Sequence, residues 1–457
     1  MKKRIITLLS VIALILSLAL CLSSCAFVEG LFDRFSPDSS DDGDAGDAGD
    51  DGDADGGSTD NGDSGNGAVG DGSGNEDNGT GGGTDDGETP AEDDDISFLP
   101  GGADDCEIAD AMTSSQRALL STVIVRPTFN VYSYSARTEI INGSGVIVSL
   151  DRESGDAIIV TNYHVVYYKE SVDPDKISAN IKIFLYGMEA EKYAINAEYI
   201  GGSMTEDIAV LRVSGSEVIK NSCAVAARLG NSNLVSVTDE VLVVGNPEGD
   251  GISATAGIVS VNHETITMTA ADGRTLIDIK VMRVDAAVNQ GNSGGGLYDA
   301  EGRLIGIVNA KKTGSDIDNI GWALPISRVS NLVDSILDNC DGETVKKTKK
   351  AVVGITLYAE AMGVRIDETT GDVVRYELVT VNELSAGCLI SDEIMVGDVV
   401  TYTIVDGVRL DADRVHMVVD HLLTARVDST LVIGILRDGT TLEITLTLPE
   451  SCFVEIN

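Results

Sequence analysis

The sequence predicts a mainly β chain whose central part forms a closed barrel or a sandwich. Short runs of β-branched residues recur between residues 119 and 321, and glycines or charged turns separate them. Examples are the runs at 158–160, 181–184 and 241–244. Many short strands without an intervening helical period are typical of all-β architectures. A helix is predicted only after these strands, where apolar residues recur at helical spacing, at Val329, Leu332, Val333, Ile336 and Leu337.

Three short blocks within this region carry chemically reactive residues. His164 ends the block Thr-Asn-Tyr-His, Asp207 lies in Glu-Asp-Ile-Ala-Val-Leu, and Ser293 lies in Gly-Asn-Ser-Gly-Gly-Gly. A hydroxyl attacks a carbonyl at neutral pH only when a base takes its proton. The base in turn needs an anion that holds its tautomer and its developing charge. The pattern therefore predicts a serine nucleophile, a histidine base and an aspartate that orients the base.

The glycines around the serine predict a second part of such a site. A tight turn at Gly291, Asn292 and Ser293 allows backbone N–H groups to converge on a developing oxyanion. The same block also fits the Gly-x-Ser-x-Gly elbow of the α/β hydrolases, which needs a helix after the serine and a histidine later in the chain. Glycine-punctuated strands follow instead, and the later histidines, His416 and His421, lie in what looks like another domain. We therefore favour a serine on a turn between two strands over the elbow of the α/β hydrolases.

The chain is strongly acidic, and the acid is concentrated near its N-terminus. It carries 74 Asp plus Glu against 32 Lys plus Arg, a formal net charge of −42, which argues against a nucleic-acid partner. Residues 38–95 consist almost entirely of Asp, Gly, Ser, Asn, Thr and Ala. Such a stretch cannot bury enough apolar surface to offset its chain entropy. We therefore expect residues 26–105 to form a disordered acidic tether.

The N-terminus has the form of a bacterial export signal. Basic residues at 2–4 precede an apolar run over residues 5–20, and small residues precede Cys25. The sequence Leu-Ser-Ser-Cys at 22–25 resembles a lipobox, in which the cysteine is acylated, and acyl chains would anchor the protein to the cell membrane. We expect residues 1–25 to be a lipoprotein signal peptide and the mature protein to be extracytoplasmic. The alternative is an uncleaved membrane helix.

The cysteines that follow this signal are Cys106, Cys223, Cys340, Cys388 and Cys452. Their number is odd and their spacing is wide, so neither a disulfide framework nor a Cys-x-x-Cys metal site is predicted. We expect them to be small buried apolar side chains. Residues 51–56 match the first half of a calcium-binding loop, but Gly62 stands where that loop needs Glu. The sequence therefore predicts no metal site and no cofactor.

Residues 106–340 resemble the protease domain of the HtrA/Deg family, trypsin-like serine proteases found outside the bacterial cytoplasm. The segments that carry the resemblance are 143–147, 161–166, 207–211, 244–247, 255–260, 285–295 and 320–325. The resemblance implies two six-stranded β-barrels with the histidine, aspartate and serine in the cleft between them. It also implies a serine endopeptidase that acts on unfolded or membrane-associated proteins, in quality control or regulated proteolysis.

Residues 352–451 resemble the C-terminal PDZ domain of that family, a small α+β domain. A basic linker at 341–351, which we expect to be solvated, precedes it. Val353, Gly354 and Ile355 lie where a carboxylate-binding loop is expected. The resemblance implies that this domain binds the C-termini of peptides, which PDZ domains accept as an added strand.

The helix predicted in this region is amphipathic, with apolar residues at Val415, Val418, Val419, Leu422 and Leu423. His416 and His421 fall off this apolar stripe. We therefore expect both histidines to be solvated.

The resemblance places the floor of the primary substrate pocket at Ala287. An uncharged floor offers no partner for Lys or Arg, so we expect cleavage after small or medium aliphatic residues. Lys311 and Lys312 lie beside the pocket wall, where the family usually has small or apolar residues. If one of them points inward it would admit acidic or polar residues, and if outward it is surface charge. Gln290 stands where the family usually has proline, which should loosen the turn without removing its donors.

Two other functions are compatible with parts of the chain. A non-catalytic, PDZ-containing surface chaperone or adaptor predicts a broken triad, and a structural surface lipoprotein predicts that the acidic tail is essential. The triad residues are intact, so we favour the protease. Its expected partners are unfolded or extended polypeptides, peptide C-termini, the membrane through a lipid anchor and, by resemblance, two further copies in a homotrimer.

Overall fold

The computed structural model of the chain describes residues 112–132, 136–311, 320–338, 348–366, 371 and 373–456, without the side chains of Ala136, Ala310 and Lys311. The predicted signal peptide with Cys25, the tether, Cys106, Lys312, Cys340 and residues 341–347 of the linker lie outside the described residues.

The first barrel is an antiparallel sheet that closes on itself. Its strands are β1 (Thr122–Tyr132), β2 (Ala136–Ile140), β3 (Gly143–Asp151), β4 (Asp156–Thr161), β5 (Asn180–Leu185), β6 (Ile195–Ser203) and β7 (Ile208–Val213), and its short helices are α1 (Ser114–Ser121), α2 (Tyr163–Val166) and α3 (Glu217–Lys220). The strand order is β2-β1-β3-β4-β7-β6-β5, and β1 also pairs with β5. Six strands therefore close the barrel, and β2 extends it.

The second barrel repeats this design with a longer hairpin. Its strands are β8 (Arg228–Leu229), β9 (Glu240–Gly245), β10 (Ser253–Thr269), β11 (Leu276–Val284), β12 (Gly296–Asp299), β13 (Arg303–Lys311) and β14 (Gly321–Pro325). Their order is β12-β9-β10-β11-β14-β13-β8, and β12 also pairs with β13. Again six strands close the barrel, so the predicted mainly β fold with two six-stranded barrels is confirmed.

The C-terminal region, residues 348–456, is a separate mixed layer of strands and one helix. Its elements are β15 (Thr348–Ala351), β16 (Ile355–Ile366), β17 (Val373–Leu384), β18 (Val399–Val405), β19 (Val408–Asp411), α5 (Val415–His421), β20 (Thr430–Arg437), β21 (Thr440–Thr447) and β22 (Phe453–Ile456). The main sheet runs β16-β17-β18-β20-β21, with β19 paired to β18, and β15 pairs with β22.

Short 3-10 turns complete the described secondary structure, at Pro174–Lys176, Glu191–Tyr193, Ser232–Leu234, Pro247–Gly249, Leu422–Thr424 and Glu450–Cys452. Each helix among the described residues is too short or too polar to cross a bilayer.

Helix α4 (Ile326–Asp338) covers the predicted apolar positions and joins the second barrel to the C-terminal region. Leu332 and Ile336 belong to a core cluster that contains barrel residues, and Leu423 and Ile456 of the C-terminal region belong to the same cluster. Because the helix is covered on two sides, the C-terminal region packs on the barrels through α4. All described residues fall in one compact unit.

The expectation of a solvated linker at 341–351 is wrong for its last residues. Thr348–Ala351 form β15, which pairs antiparallel with β22, and the Thr348 side chain is fully buried. Its partner β22 also extends the C-terminal region past the predicted end at residue 451. Backbone pairing of this kind leaves little trace in a lysine-rich sequence, because the lysine ammonium groups can remain in water while the backbone is bonded.

The cysteines follow the expectation only in part. Cys388 and Cys452 are buried, but Cys223 is exposed. Cys223 lies in the irregular segment that follows α3.

His416 and His421 are buried, contrary to the expectation that both are solvated, with 8% and 6% of their surface exposed. The His416 ring stacks on His263 of β10, with ring centroids 3.3 Å apart. The Nδ1 atom of His421 hydrogen-bonds the Thr403 hydroxyl at 2.7 Å. Helix α5 thus has a second covered face, which the apolar stripe alone does not reveal.

The stacked pair of His263 and His416 predicts that acid weakens the fold. Burial is the largest cause that lowers the pKa of both rings, and it brings that of His263 to about 3. The unfolded chain takes up these protons below pH about 6.5, so stability falls as pH decreases from there. We expect a loss of about 1.4 kcal/mol per pH unit for each histidine held neutral.

Thermal unfolding of the wild type and of the double variant His263→Phe/His416→Phe, measured between pH about 5 and 8, tests this expectation. The variant keeps the stacked rings and should lose the part of the acid sensitivity that these two histidines contribute, while buried His421, whose pKa burial also lowers, keeps its own part. The comparison near pH 8, where the histidines are neutral in both states, isolates any packing effect. Equal pH slopes for the two proteins would contradict the prediction.

Candidate active site

The structure brings His164 and Asp207 into direct contact. His164 lies in α2, just after β4, and Asp207 lies in the turn before β7. The His164 Nδ1 atom is 2.7 Å from Asp207 Oδ2, and the backbone N–H of His164 donates to Oδ1 at 3.0 Å. A carboxylate only accepts, so Nδ1 carries the proton and Nε2 keeps its lone pair.

The Asp207 carboxylate is buried, with 3% of the residue exposed, whereas 35% of the His164 side chain remains exposed. Burial lowers the pKa of His164, but the charge and the hydrogen bond of Asp207 raise it by more. The net pKa lies above the usual value of 6.5. The Asp207 carboxylate therefore stabilises the imidazolium that forms when His164 accepts a proton.

Asp207 itself adopts an unusual backbone conformation. Its φ is 51°, in the left-handed region that non-glycine residues rarely enter. The Asn162 side-chain amide donates to its carbonyl at 2.9 Å and holds the turn. The orientation of the carboxylate thus depends on contacts around the turn and not on local preference.

Ser293 lies on the turn between β11 and β12, and two glycines shape this turn. Gly291 has φ 96° and Gly294 has φ 86°. A Cβ on Gly291 would lie 2.2 Å from the Asn246 carbonyl oxygen, and one on Gly294 would lie 2.1 Å from that of Ser144. Only glycine fits at either position.

Two backbone N–H groups of the predicted oxyanion turn are unengaged. In the part of the chain that the structure describes, those of Gly291 and Ser293 donate to no acceptor. The Gln290 carbonyl accepts from the Glu248 N–H at 2.7 Å. Because the carbonyl and the N–H of a trans peptide point in opposite directions, the Gly291 N–H points away from that neighbouring loop.

Asn292, which we included among the oxyanion donors, does not provide a third one. Its N–H donates to the Asn289 carbonyl at 3.0 Å, which closes the turn, and its side chain is buried. Because the Asn292 N–H closes the turn, it is not free to donate to an oxyanion.

Asn309 is a site residue that the sequence analysis did not identify. It lies in β13 and is fully buried. Its side-chain amide donates to Asp207 Oδ2 at 2.6 Å. The backbone carbonyl of Asn309 accepts a hydrogen bond from the Ser293 hydroxyl at 2.9 Å. Asn309 therefore links the serine to the aspartate, and the Ser293 hydroxyl bonds to Asn309 instead of His164. A polar residue among the apolar residues of a buried strand was the available signal.

One cleft of about 440 Å³ contains all three reactive side chains. Its described lining consists of His164, Met204, Asp207, Met268, Thr269, Ala270, Ala271, Ile277, Val288, Asn289, Gln290, Ser293 and Asn309. Within this described lining, His164 and Asp207 are the only titratable groups. Two clefts of similar volume, about 480 and 470 Å³, lie elsewhere on the second barrel near Glu240 and Asp299, and none of the three reactive residues lines them.

Of the two predicted pocket residues, the structure describes Ala287 in full and Lys311 only through its backbone. Ala287 is exposed and its neighbour Val288 lines the cleft in its place. The Ala287 carbonyl accepts a hydrogen bond from the Thr255 hydroxyl at 2.9 Å. Lys311 pairs with Gly321 through its backbone, and its side chain lies outside the described residues.

The predicted carboxylate loop connects β15 to β16. Val353 is buried, and Gly354 has φ 86°. A Cβ on Gly354 would lie 2.6 Å from Cys388 Cα, so the loop packs closely on the segment that follows β17. Ile355 begins β16 and pairs with Leu384.

No group of three or more His, Cys, Asp or Glu side chains in the described ranges is arranged to hold a metal ion.

Comparison with known proteins places this site in a recognised domain type. The family model of the trypsin-like peptidase domain matches residues 143–307. The chain is 34% identical over 206 residues to the serine protease Do-like HtrA of Bacillus subtilis, covering 44% of this chain and 41% of that protein. It is 31% identical over 316 residues to the periplasmic serine endoprotease DegP of Escherichia coli, covering 68% of this chain and 57% of that protein. The chain thus spans about half the length of these curated relatives.

Among solved structures, the HtrA-type protease AlgW with a decapeptide matches at 22% identity and a TM-score of 0.47. This match covers 74% of the chain and 97% of that structure.

The contact between Asn309 and Asp207 predicts a large effect of Asn309→Ala. A hydrogen bond to a charged group contributes about 1.5–3 kcal/mol, so we expect the rate at which a fluorophosphonate labels Ser293 to fall about ten- to hundredfold. Asn196→Ala, which alters an exposed asparagine of β6, is the matched control. A wild-type labelling rate in a folded Asn309→Ala protein would show that this hydrogen bond is dispensable.

Proposed function

We propose that this chain, whose residues 143–307 match the trypsin-like peptidase domain, is an extracytoplasmic serine endopeptidase similar to HtrA and DegP. The observation that carries the proposal is the contact of 2.7 Å between His164 Nδ1 and Asp207 Oδ2, in the same cleft as Ser293.

The reaction follows from this arrangement. Ser293 Oγ attacks the carbonyl carbon of the scissile peptide while His164 Nε2 takes the hydroxyl proton. Asp207 holds the ring and stabilises its positive charge. The tetrahedral intermediate collapses when His164 returns the proton to the leaving amine, and an acyl-enzyme remains. Water then repeats the sequence, with His164 as the base, and releases the acid and the free serine.

The oxyanion of the intermediate would be held by the N–H groups of Gly291 and Ser293. Both are unengaged within the described residues, which supports this role. One such donor typically lowers the barrier by about 3–4 kcal/mol. Before the reaction the Ser293 hydroxyl must leave the Asn309 carbonyl and turn to His164, and catalytic hydrogen bonds often form only once substrate is bound.

The cleft favours apolar side chains of an extended polypeptide. Met204, Met268, Ile277 and Val288 line it. Such a surface gains from desolvating aliphatic groups. The carboxylate in the described lining, Asp207, is already bonded by His164 and Asn309, so it is not available to pair with a basic substrate residue. Unfolded proteins expose such side chains, which supports a role in protein quality control or regulated proteolysis.

The rest of the chain supports action at the outer face of a membrane. Residues 1–25 have the form of a lipoprotein signal with Cys25 as the acylation site, and residues 26–105 have the composition of a tether. The region from 352 to 451 would bind peptide C-termini as a PDZ domain, with Val353, Gly354 and Ile355 at the carboxylate. The name of the Escherichia coli relative, a periplasmic endoprotease, agrees with this location.

The substitution Ser293→Ala removes the nucleophile and should abolish both fluorophosphonate labelling and digestion of unfolded casein. Among the described residues, the oxygen that it removes makes one hydrogen bond, to the Asn309 backbone carbonyl, so the thermal midpoint should change little. Ser149→Ala on the exposed side of β3 is the control. Casein cleavage by a purified Ser293→Ala protein would refute the assignment and leave a non-catalytic chaperone or adaptor as the better account.

The apolar cleft predicts cleavage after small or medium aliphatic residues. Mass spectrometry of the peptides released from a denatured protein should show these residues before the cut, favoured about tenfold or more over Lys and Arg. Val288→Asp should add cleavage after Lys and Arg, whereas Val237→Asp, at an exposed position, should not. Abundant wild-type cleavage after Lys or Arg would contradict the pocket assignment.

A further inference from the structure

The residue before the catalytic aspartate carries a second buried carboxylate, and the reaction proposed above does not use it. The Glu206 side chain is only 11% exposed. Arg328 of α4 donates to it through Nε at 2.9 Å to Oε2, and through Nη2 at 2.7 Å to each oxygen. This is the forked geometry in which arginine binds a carboxylate most firmly.

The same guanidinium also reaches the C-terminal region. Its Nη1 atom contacts the Asp420 carboxylate of α5, and the side chains of Arg328 and Asp420 are 11% and 7% exposed. The Asn331 side-chain amide donates to the Asp420 carbonyl at 2.9 Å, on the same face of α4. One buried cation therefore joins the turn that carries Asp207 to a helix of the C-terminal region.

Further charged groups surround this cluster. Lys280 of β11 interacts with Asp420, Glu206 and Glu377, and Arg414 also interacts with Glu377. The neighbouring His263 and His416 are kept neutral by burial. Burial lowers the pKa of Arg328, but Asp420 and Glu206 raise it by more, so the guanidinium stays charged. Removing one member leaves a buried charge without its partner, which buried sites tolerate poorly.

The cluster matters for catalysis because the Asp207 turn needs external support. Asp207 has φ 51°, a left-handed conformation that costs free energy in a residue other than glycine and that surrounding contacts help to hold. Asn162 holds its carbonyl, and the Ser203 hydroxyl accepts the Glu206 N–H at 3.3 Å. The Arg328 clamp fixes the Glu206 side chain and thereby the backbone that leads into Asp207.

We infer that Arg328 is a positioning residue that aims the Asp207 carboxylate at His164 through Glu206, and that Asp420 of the C-terminal region holds Arg328 in place. The inference rests on the proposed function. It makes the C-terminal region a structural support of the catalytic aspartate, independent of any peptide that this region binds.

The test measures the rate at which a fluorophosphonate labels Ser293 as a function of pH. The wild-type rate should fall at low pH with a midpoint above about 6.5, because Asp207 raises the pKa of His164. Glu206→Gln is nearly isosteric and is the primary variant, and Arg328→Gln is the second. In both variants, the pH midpoint of labelling should move down towards about 6.5. The labelling rate at the high-pH plateau should fall about ten- to hundredfold.

Further variants separate positioning from stability. Asp420→Asn should shift the midpoint in the same direction by a smaller amount, and Arg328→Lys, which keeps the charge but loses the fork, should lie between Arg328→Gln and the wild type. Arg303→Gln removes an arginine from an exposed pair with Asp299 and Glu301 and should change nothing.

The outcomes are distinct. A lower thermal midpoint together with a wild-type pH midpoint and plateau in Glu206→Gln would overturn the inference, because the clamp would then be purely structural. Wild-type protein that is not labelled at any pH would overturn the proposed function, and this inference with it.

Discussion

The site depends on one buried carboxylate that must be surrounded by donors. A buried charge is costly unless hydrogen bonds replace its water, and Asp207 receives three of them. Two come from His164 and one from Asn309. His164 belongs to the first barrel and Asn309 to the second. The carboxylate is therefore satisfied only when the barrels pack together, so the same contacts complete the fold and orient the His164 ring.

The serine turn is subject to the same condition. The Ser144 hydroxyl, on β3 of the first barrel, donates to the Gly291 carbonyl at 2.7 Å and accepts the Asn246 N–H at 2.8 Å. The Ser144 N–H donates to the Ser293 carbonyl at 2.8 Å. These bonds fix both sides of the turn from across the barrel interface. Among the described residues of this turn, the N–H groups of Gly291 and Ser293 remain without an acceptor.

Helix α4 extends this dependence to the C-terminal region. One side of the helix packs in the barrel core, and the other meets Leu423 and Ile456. Its arginine, Arg328, is largely buried at the junction because carboxylates from both sides meet it. An amphipathic helix on the surface would expose this arginine. Here Arg328 lies at a second interface and is paired across it.

Local sequence pattern was enough to predict several barrel strands, helix α4 and the three candidate site residues, because periodicity and short motifs are local properties. It also indicated the tight turn at Gly291, whose positive φ only glycine adopts freely. Packing between distant parts of the chain established that Asn309 bonds Asp207, that the Asn292 N–H is hydrogen-bonded inside the turn, and that His416 is buried. It likewise decided that residues 348–351 form a strand. Each of these depends on a partner distant in the chain, and no local pattern encodes which distant surface will cover a residue.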